Sequence, residues 1–126
     1  MSSEVKTFLE DLEHSRKDDI ISISTKINVS FPEFESEIKW NAPSFTFQGE
    51  NVITLRIFPD PALQLILHLG SKKLLNPPDL RFEIKNLKHR WADSTRCVIT
   101  IEEDLNWKEI EEALREWMMK VRGILK

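Results

Sequence analysis

The side chains able to do chemistry in this chain are few, and they are scattered. Cys97 alternates with Ile99 and Ile101, which places the one cysteine on an apolar stripe as an inert thiol. Reactive thiols instead sit in partly exposed, electropositive sites. His14, His68 and His89 form no close-spaced pair. With one cysteine beside them, they give no spacing for a structural zinc site. Gly49, Gly70 and Gly123 are too dispersed to build a phosphate-cradling loop. No nucleophile–base pair stands out, so an enzyme ranks behind a binding protein.

A basic, hydroxyl-bearing surface is the better candidate. His68 falls opposite a run of alternating leucines, on the same side as Gln64 and Ile66. The same parity brings Thr46, Thr54 and Arg56 of the preceding segments to that side, with Arg96 and Thr100 of a later one. Such a surface holds a small anion through charge-assisted hydrogen bonds. It is equally what the wet side of an antiparallel sheet looks like. Trp40 sits between Lys39 and Asn41, and Trp91 between Arg90 and Ala92. Basic–aromatic pairs of this kind stack planar ligands, though core packing is the competing use. The expected site is therefore Lys39, Trp40, Asn41, Arg56, His68, Lys72, Trp91 and Arg96, taking an anionic or planar small molecule without cofactor or resident metal.

Acidic groups offer a second reading. Glu10 and His14 are four residues apart on one helical turn, with Asp18 and Asp19 nearby. Glu102, Glu103 and Asp104 precede the last helix, where Glu109 and Glu112 follow. Carboxylates with one imidazole suit iron or manganese, while acids at a helix start are also ordinary dipole chemistry.

These groups need elements to carry them. Val5, Phe8, Leu9 and Leu12 mark a helical stripe that Ser3 caps. Ser15 and Asp18 resemble a capping box opening a second helix. The segment that follows is ambiguous, because Ile20, Ile23, Ile27 and Phe31 fit a helix while Ile21, Ile23, Thr25, Ile27 and Val29 alternate like a strand. Phe45 with Phe47, then Ile53, Leu55 and Ile57, then Leu63 to Leu69, read as consecutive antiparallel strands. Arg96 to Ile101 is a further strand, and residues 71–90 are hard to assign. Asn106 with Glu109 caps a final helix whose stripe runs through Trp107, Ile110, Leu114, Trp117 and Val121, both tryptophans being core.

Length and charge bound the rest. The 126 residues suit one domain, 1–126. No apolar run is long enough for a membrane helix. The charged N-terminus lacks a signal-peptide core, and a single cysteine points to a reducing cytoplasm. Residues 1–37 carry four basic and nine acidic side chains, residues 38–101 nine and five, and residues 102–126 five and seven, for a net charge of −3. With a pI of about 5.7, the chain is a poor general nucleic-acid binder.

The segment Glu37-Ile38-Lys39-Trp40-Asn41-Ala42-Pro43-Ser44-Phe45 resembles the hallmark of the YdhG-like family, small bacterial proteins largely without assigned activity. Leu65 to Lys73 resembles a second stretch of one branch, and Trp91-Ala92-Asp93 leading into Arg96-Cys97-Val98 a third. The resemblance spans residues 3 to 120. It implies an α+β fold, with N-terminal helices and a C-terminal helix on an antiparallel sheet of about four to five strands. It also implies a helix over residues 16–29. Physically, Pro43 fixes the chain entering the first strand, and Trp40 is placed to wedge between helix and sheet. One relative is described as a frataxin-like iron chaperone, which implies iron binding through acidic helix residues as the alternative function.

Overall fold

The structure, a computed structural model, describes residues 1–70 and 75–125. Its elements run α1 (Ser3–Asp11), α2 (Lys17–Ser30), β1 (Glu35–Lys39), β2 (Ala42–Phe47), β3 (Glu50–Arg56), β4 (Gln64–Leu67), β5 (His89–Asp93), β6 (Arg96–Thr100) and α3 (Trp107–Ile124). The class is α+β. No helix among the described residues is long and apolar enough to cross a membrane.

The sheet has six antiparallel strands in the order β1-β2-β3-β4-β6-β5, so β6 inserts between β4 and its own hairpin partner β5. Six strands exceed the expected four to five, and the two that no apolar alternation marks, β1 and β5, are the edges. Edge strands are short and charged because an apolar edge invites aggregation, and β1 and β5 read ESEIK and HRWAD. Neither therefore carries the apolar alternation by which the inner strands announce themselves.

One face of the sheet meets the helices. Phe45, Ile53, Leu55, Leu65, Leu67, Cys97 and Ile99 join Val5, Ile20, Ile23, Ile27, Leu114 and Trp117 in a single apolar cluster. Residues 17–30 are helical, as the family resemblance implies, because Ile20, Ile23 and Ile27 bury on one stripe while Val29 stays 72% exposed. The β-branched alternation there is coincidental.

Three helix details depart from expectation. Ser2, not Ser3, caps α1, accepting from the Val5 amide at 3.2 Å. Helix α2 has no side-chain cap, because Ser15 gives both its amide and its hydroxyl to Asp60 on the loop after β3. Those bonds hold the Asp60 carboxyl below its ordinary value. Trp107 is only half-buried, with the Lys26 ammonium 5.9 Å from its ring centre, whereas Trp117 is fully buried and donates to the Val52 carbonyl at 3.0 Å. The Asn106 cap on Glu109 is present at 3.4 Å.

Candidate ligand groove on the open face of the sheet

Strand register determines what the helix-free face presents. Ser44 pairs with Thr54, Thr54 with Ile66, Ile66 with Val98 and Val98 with Arg90, which forms one row across five neighbouring strands. Side chains on a row share a face because successive residues of a strand alternate. Over this row lies a groove of about 470 Å³ with a floor of Ala42, Thr54, Ile66 and Val98. Its walls are Arg56 with Ile57 and Phe58, Arg96 with Ala92, Arg90, and Trp40. A volume of this order falls within the ~300–1,000 Å³ usual for small-ligand sites.

The electrostatics have one sign. The lining contains three guanidiniums and no carboxylate. Among the described residues, Arg56, Arg90 and Arg96 form no ion pair, and all three are exposed. Arg90 and Arg96 stand on adjacent strands with Arg96 two residues from Arg90's partner Val98. Diagonal neighbours of this kind lie about 7–8 Å apart at Cα and can reach one group between them.

Trp40 occupies the groove rim in an unfavourable backbone state. Lys39 pairs with Ala42, leaving Trp40 (φ +53°) and Asn41 (φ +56°) as a two-residue hairpin loop with both residues left-handed. Glycine, asparagine and aspartate are the residues such a loop favours. Asn41 fits, but a tryptophan at that position costs roughly 1–2 kcal/mol for its Cβ. The indole is nonetheless 62% exposed, with the Lys39 ammonium 4.7 Å from a ring centre. Phe58, which also lines the groove, is 41% exposed, with its ring edge-on to His14 at 6.0 Å. The wedge role between helix and sheet is thereby corrected: Trp40 lies at the open face.

Beside the groove is a buried polar cluster. The Thr54 hydroxyl lies 2.9 Å from both Ser44 Oγ and His68 Nε2, Ser44 also bonds Asn51, and His68 Nδ1 lies 3.3 Å from the Gly70 carbonyl. His68 is 2% exposed. Burial pushes its pKa down to about 4, the Gly70 carbonyl opposes that shift, and the charges of Arg96 and Lys39 add to it. The imidazole is therefore neutral at ordinary pH. The carbonyl can only accept, so Nδ1 carries the proton, and Thr54 donates to Nε2. The groove's cationic donors are consequently its arginines.

Of the eight residues expected to form the site, the groove brings together Trp40, Arg56 and Arg96, with Lys39 against Trp40. His68 is corrected from a surface ligand to a buried member of the polar cluster, since both ring nitrogens already have protein partners. Trp91 is corrected as well. Its partner Cys97 faces the helices, so its ring packs 5.4 Å from Phe82 and 6.3 Å from Trp117. Asn41 is exposed in the turn and does not line the groove, and Lys72 lies outside the described residues. Arg90 and Phe58 are the lining residues that sequence reasoning missed. A one-residue change of parity sends a whole strand to the other face, so naming Trp91 meant missing Arg90.

The other candidates are held in structural roles. His14 Nε2 donates to the Ile57 carbonyl at 2.6 Å and Nδ1 accepts from the Arg16 amide at 2.9 Å, leaving neither nitrogen for a metal. Among the described residues, no three histidine, cysteine or acidic side chains gather as metal ligands. Burial pushes the Cys97 thiol up to about 11.

Fold and groove together define an α+β protein with a basic, aromatic-rimmed trough on the helix-free face of its sheet. Family models, curated proteins and solved structures give no match to this chain.

Proposed function

We propose that this chain is a non-catalytic binding module for a small ligand that joins an anionic group to a flat apolar body. The observation that carries the proposal is the groove itself: its lining holds three guanidiniums with no acidic partner among the described residues, two exposed aromatic rings and the apolar side chains of Ala42, Ile66 and Val98. Each charge-assisted hydrogen bond to such a ligand contributes about 1.5–3 kcal/mol. The non-catalytic part is supported by a protonated thiol and by an imidazole that is buried, weakly basic and already bonded on both sides. We also read the chain as a relative of the YdhG-like family. In support, its hallmark segment Glu37–Phe45 forms the β1–β2 hairpin that carries Trp40 to the groove.

The test is an amide chemical-shift titration with the anionic fluorophore 8-anilinonaphthalene-1-sulfonate. Shifts centred on Ile66, Val98 and Arg90, with at least tenfold weaker binding in Arg96→Glu, are expected. Shifts centred elsewhere, or an unchanged affinity in the variant, would overturn the reading.

A further inference from the structure

We infer that the ligand class is a nucleoside monophosphate, its phosphate held at the Arg90/Arg96 end of the groove and its base against Trp40 and Phe58. This inference rests on the binding-module reading and gives it a polarity. The row beneath the groove crosses from β2 to β5 in four strand steps. At ~4.8 Å per step that is a span of roughly 19 Å. Arg90 and Arg96 line the groove from β5 and β6, and Trp40 lines it from the β1–β2 turn. A groove of that span has room for a phosphate, a sugar and one base, and it is longer than a bare anion needs.

The two ends differ in chemistry. Arg90 and Arg96 are diagonal neighbours on adjacent strands and both line the groove, so two guanidinium forks are within reach of one group. A phosphate monoester carries about −1.5 to −2 charges at neutral pH and several acceptor oxygens. Arginine binds such a group bidentately, as lysine's point charge does not. At the other end two exposed rings line the groove, Trp40 at 62% and Phe58 at 41% exposure. Aromatic side chains hold a nucleobase by stacking for about 1–3 kcal/mol. The floor at this end, Ala42, Thr54 and Ile66, is apart from one hydroxyl apolar, and Arg56, two residues before Phe58, brings the groove's third guanidinium beside the rings.

Backbone strain points the same way. A tryptophan in a left-handed turn position, mostly exposed, gives up stability that asparagine would keep. Strain of this kind collects at ligand-contacting positions. Charge separates one nucleotide from a strand of them. A nucleic acid needs a basic stripe, whereas this chain carries net −3 and, among the described residues, its arginines without an ion pair all line one trough.

The experiment is calorimetric titration of the whole chain with AMP, GMP, CMP and UMP, with adenosine, with inorganic phosphate, and with a 5′-phosphorylated hexadeoxyadenylate. At least one monophosphate is expected to bind tenfold or more tightly than either adenosine or phosphate. Arg90→Gln/Arg96→Gln should weaken it at least tenfold while leaving adenosine unchanged. Trp40→Asn should weaken monophosphate and adenosine alike while leaving phosphate unchanged. Circular dichroism melting confirms that each variant, altered only at exposed positions, is folded. A monophosphate that binds no better than phosphate alone overturns the inference, and so does an unaffected arginine variant. A hexamer tighter than every monophosphate overturns the choice of one nucleotide in favour of a strand. If the anionic fluorophore occupies the groove and no nucleotide does, the nucleotide class fails while the binding-module reading stands; if neither binds, both fail.

Discussion

Replacing His68 by glutamine should flatten the acid limb of the stability curve. His68 is 2% exposed, and its pKa lies at about 4 instead of 6.5, with burial the largest cause. Below pH 6.5 the unfolded chain takes up a proton that the folded chain refuses. Stability from this group is thus complete above 6.5 and is lost as pH falls toward 4. At about 1.4 kcal/mol per unit, the interval from 6.5 to about 4 corresponds to ~3 kcal/mol, spread over that window. The lowered carboxyls of Asp60 and Asp79 titrate below their ordinary 3.8, so the histidine dominates the interval. Glutamine can still reach Thr54 but gives up the Gly70 contact, at a pH-independent cost of about 1 kcal/mol. Guanidinium unfolding of both proteins at half-unit steps from pH 4 to 7.5 measures the difference directly. Parallel curves, with the same slope in wild type and Gln variant, would refute the buried neutral imidazole.

Two further outcomes follow from the same structure. Trp40→Asn removes an indole that is 62% exposed, so 38% is covered, or ~80 Å² of a side chain that buries about 200 Å² when enclosed, worth at most ~2 kcal/mol. Relief of the left-handed strain returns roughly 1–2 kcal/mol. The net change should stay within ~1 kcal/mol by chemical denaturation, and a loss above 3 kcal/mol would restore Trp40 as a structural wedge. Cys97, fully buried with its pKa raised from 9.0 to about 11, should react with Ellman's reagent at pH 8 roughly ninetyfold more slowly in the folded protein than in guanidinium, from thiolate fractions alone. Equal rates would show an open thiol.

The inner sheet is legible because burial on one face writes itself as alternation. Ile53, Leu55 and Ile57, then Leu63, Leu65 and Leu67, then Cys97 and Ile99, keep strict parity, and each lands in the core. The final helix is legible for the same reason at the other period, with an asparagine cap to mark its start. Helix α2 is not, since isoleucine at 20, 21, 23 and 27 satisfies both periods and only packing against the rest of the cluster chooses. The edges escape because β1 and β5 have little apolar surface to alternate. The insertion of β6 between β4 and β5 is a long-range choice that no local pattern records.

The groove was half legible for a reason that follows from those edges. Thr54, Arg56, Ile66 and Arg96 are reached by extending the parity of well-marked strands, and the register confirms that they share one face. Arg90 and Trp91 lie on an edge strand whose parity the sequence leaves open. There, aromatic size pulled attention to the residue that serves the core. Trp40 is different, because its position comes from a turn rather than a strand. The meaningful signal is the absence of a glycine or asparagine at its place, visible only once Lys39 and Ala42 are known to pair. His68 shows the opposite failure. Parity put it on the correct face, but parity says nothing about depth. Hydroxyls from β2 and β3 enclose the imidazole instead of leaving it to a ligand. A residue's face can be read from its neighbours two positions away, while its exposure depends on what the adjacent strands bring, so ligand contacts become legible only after the register is known.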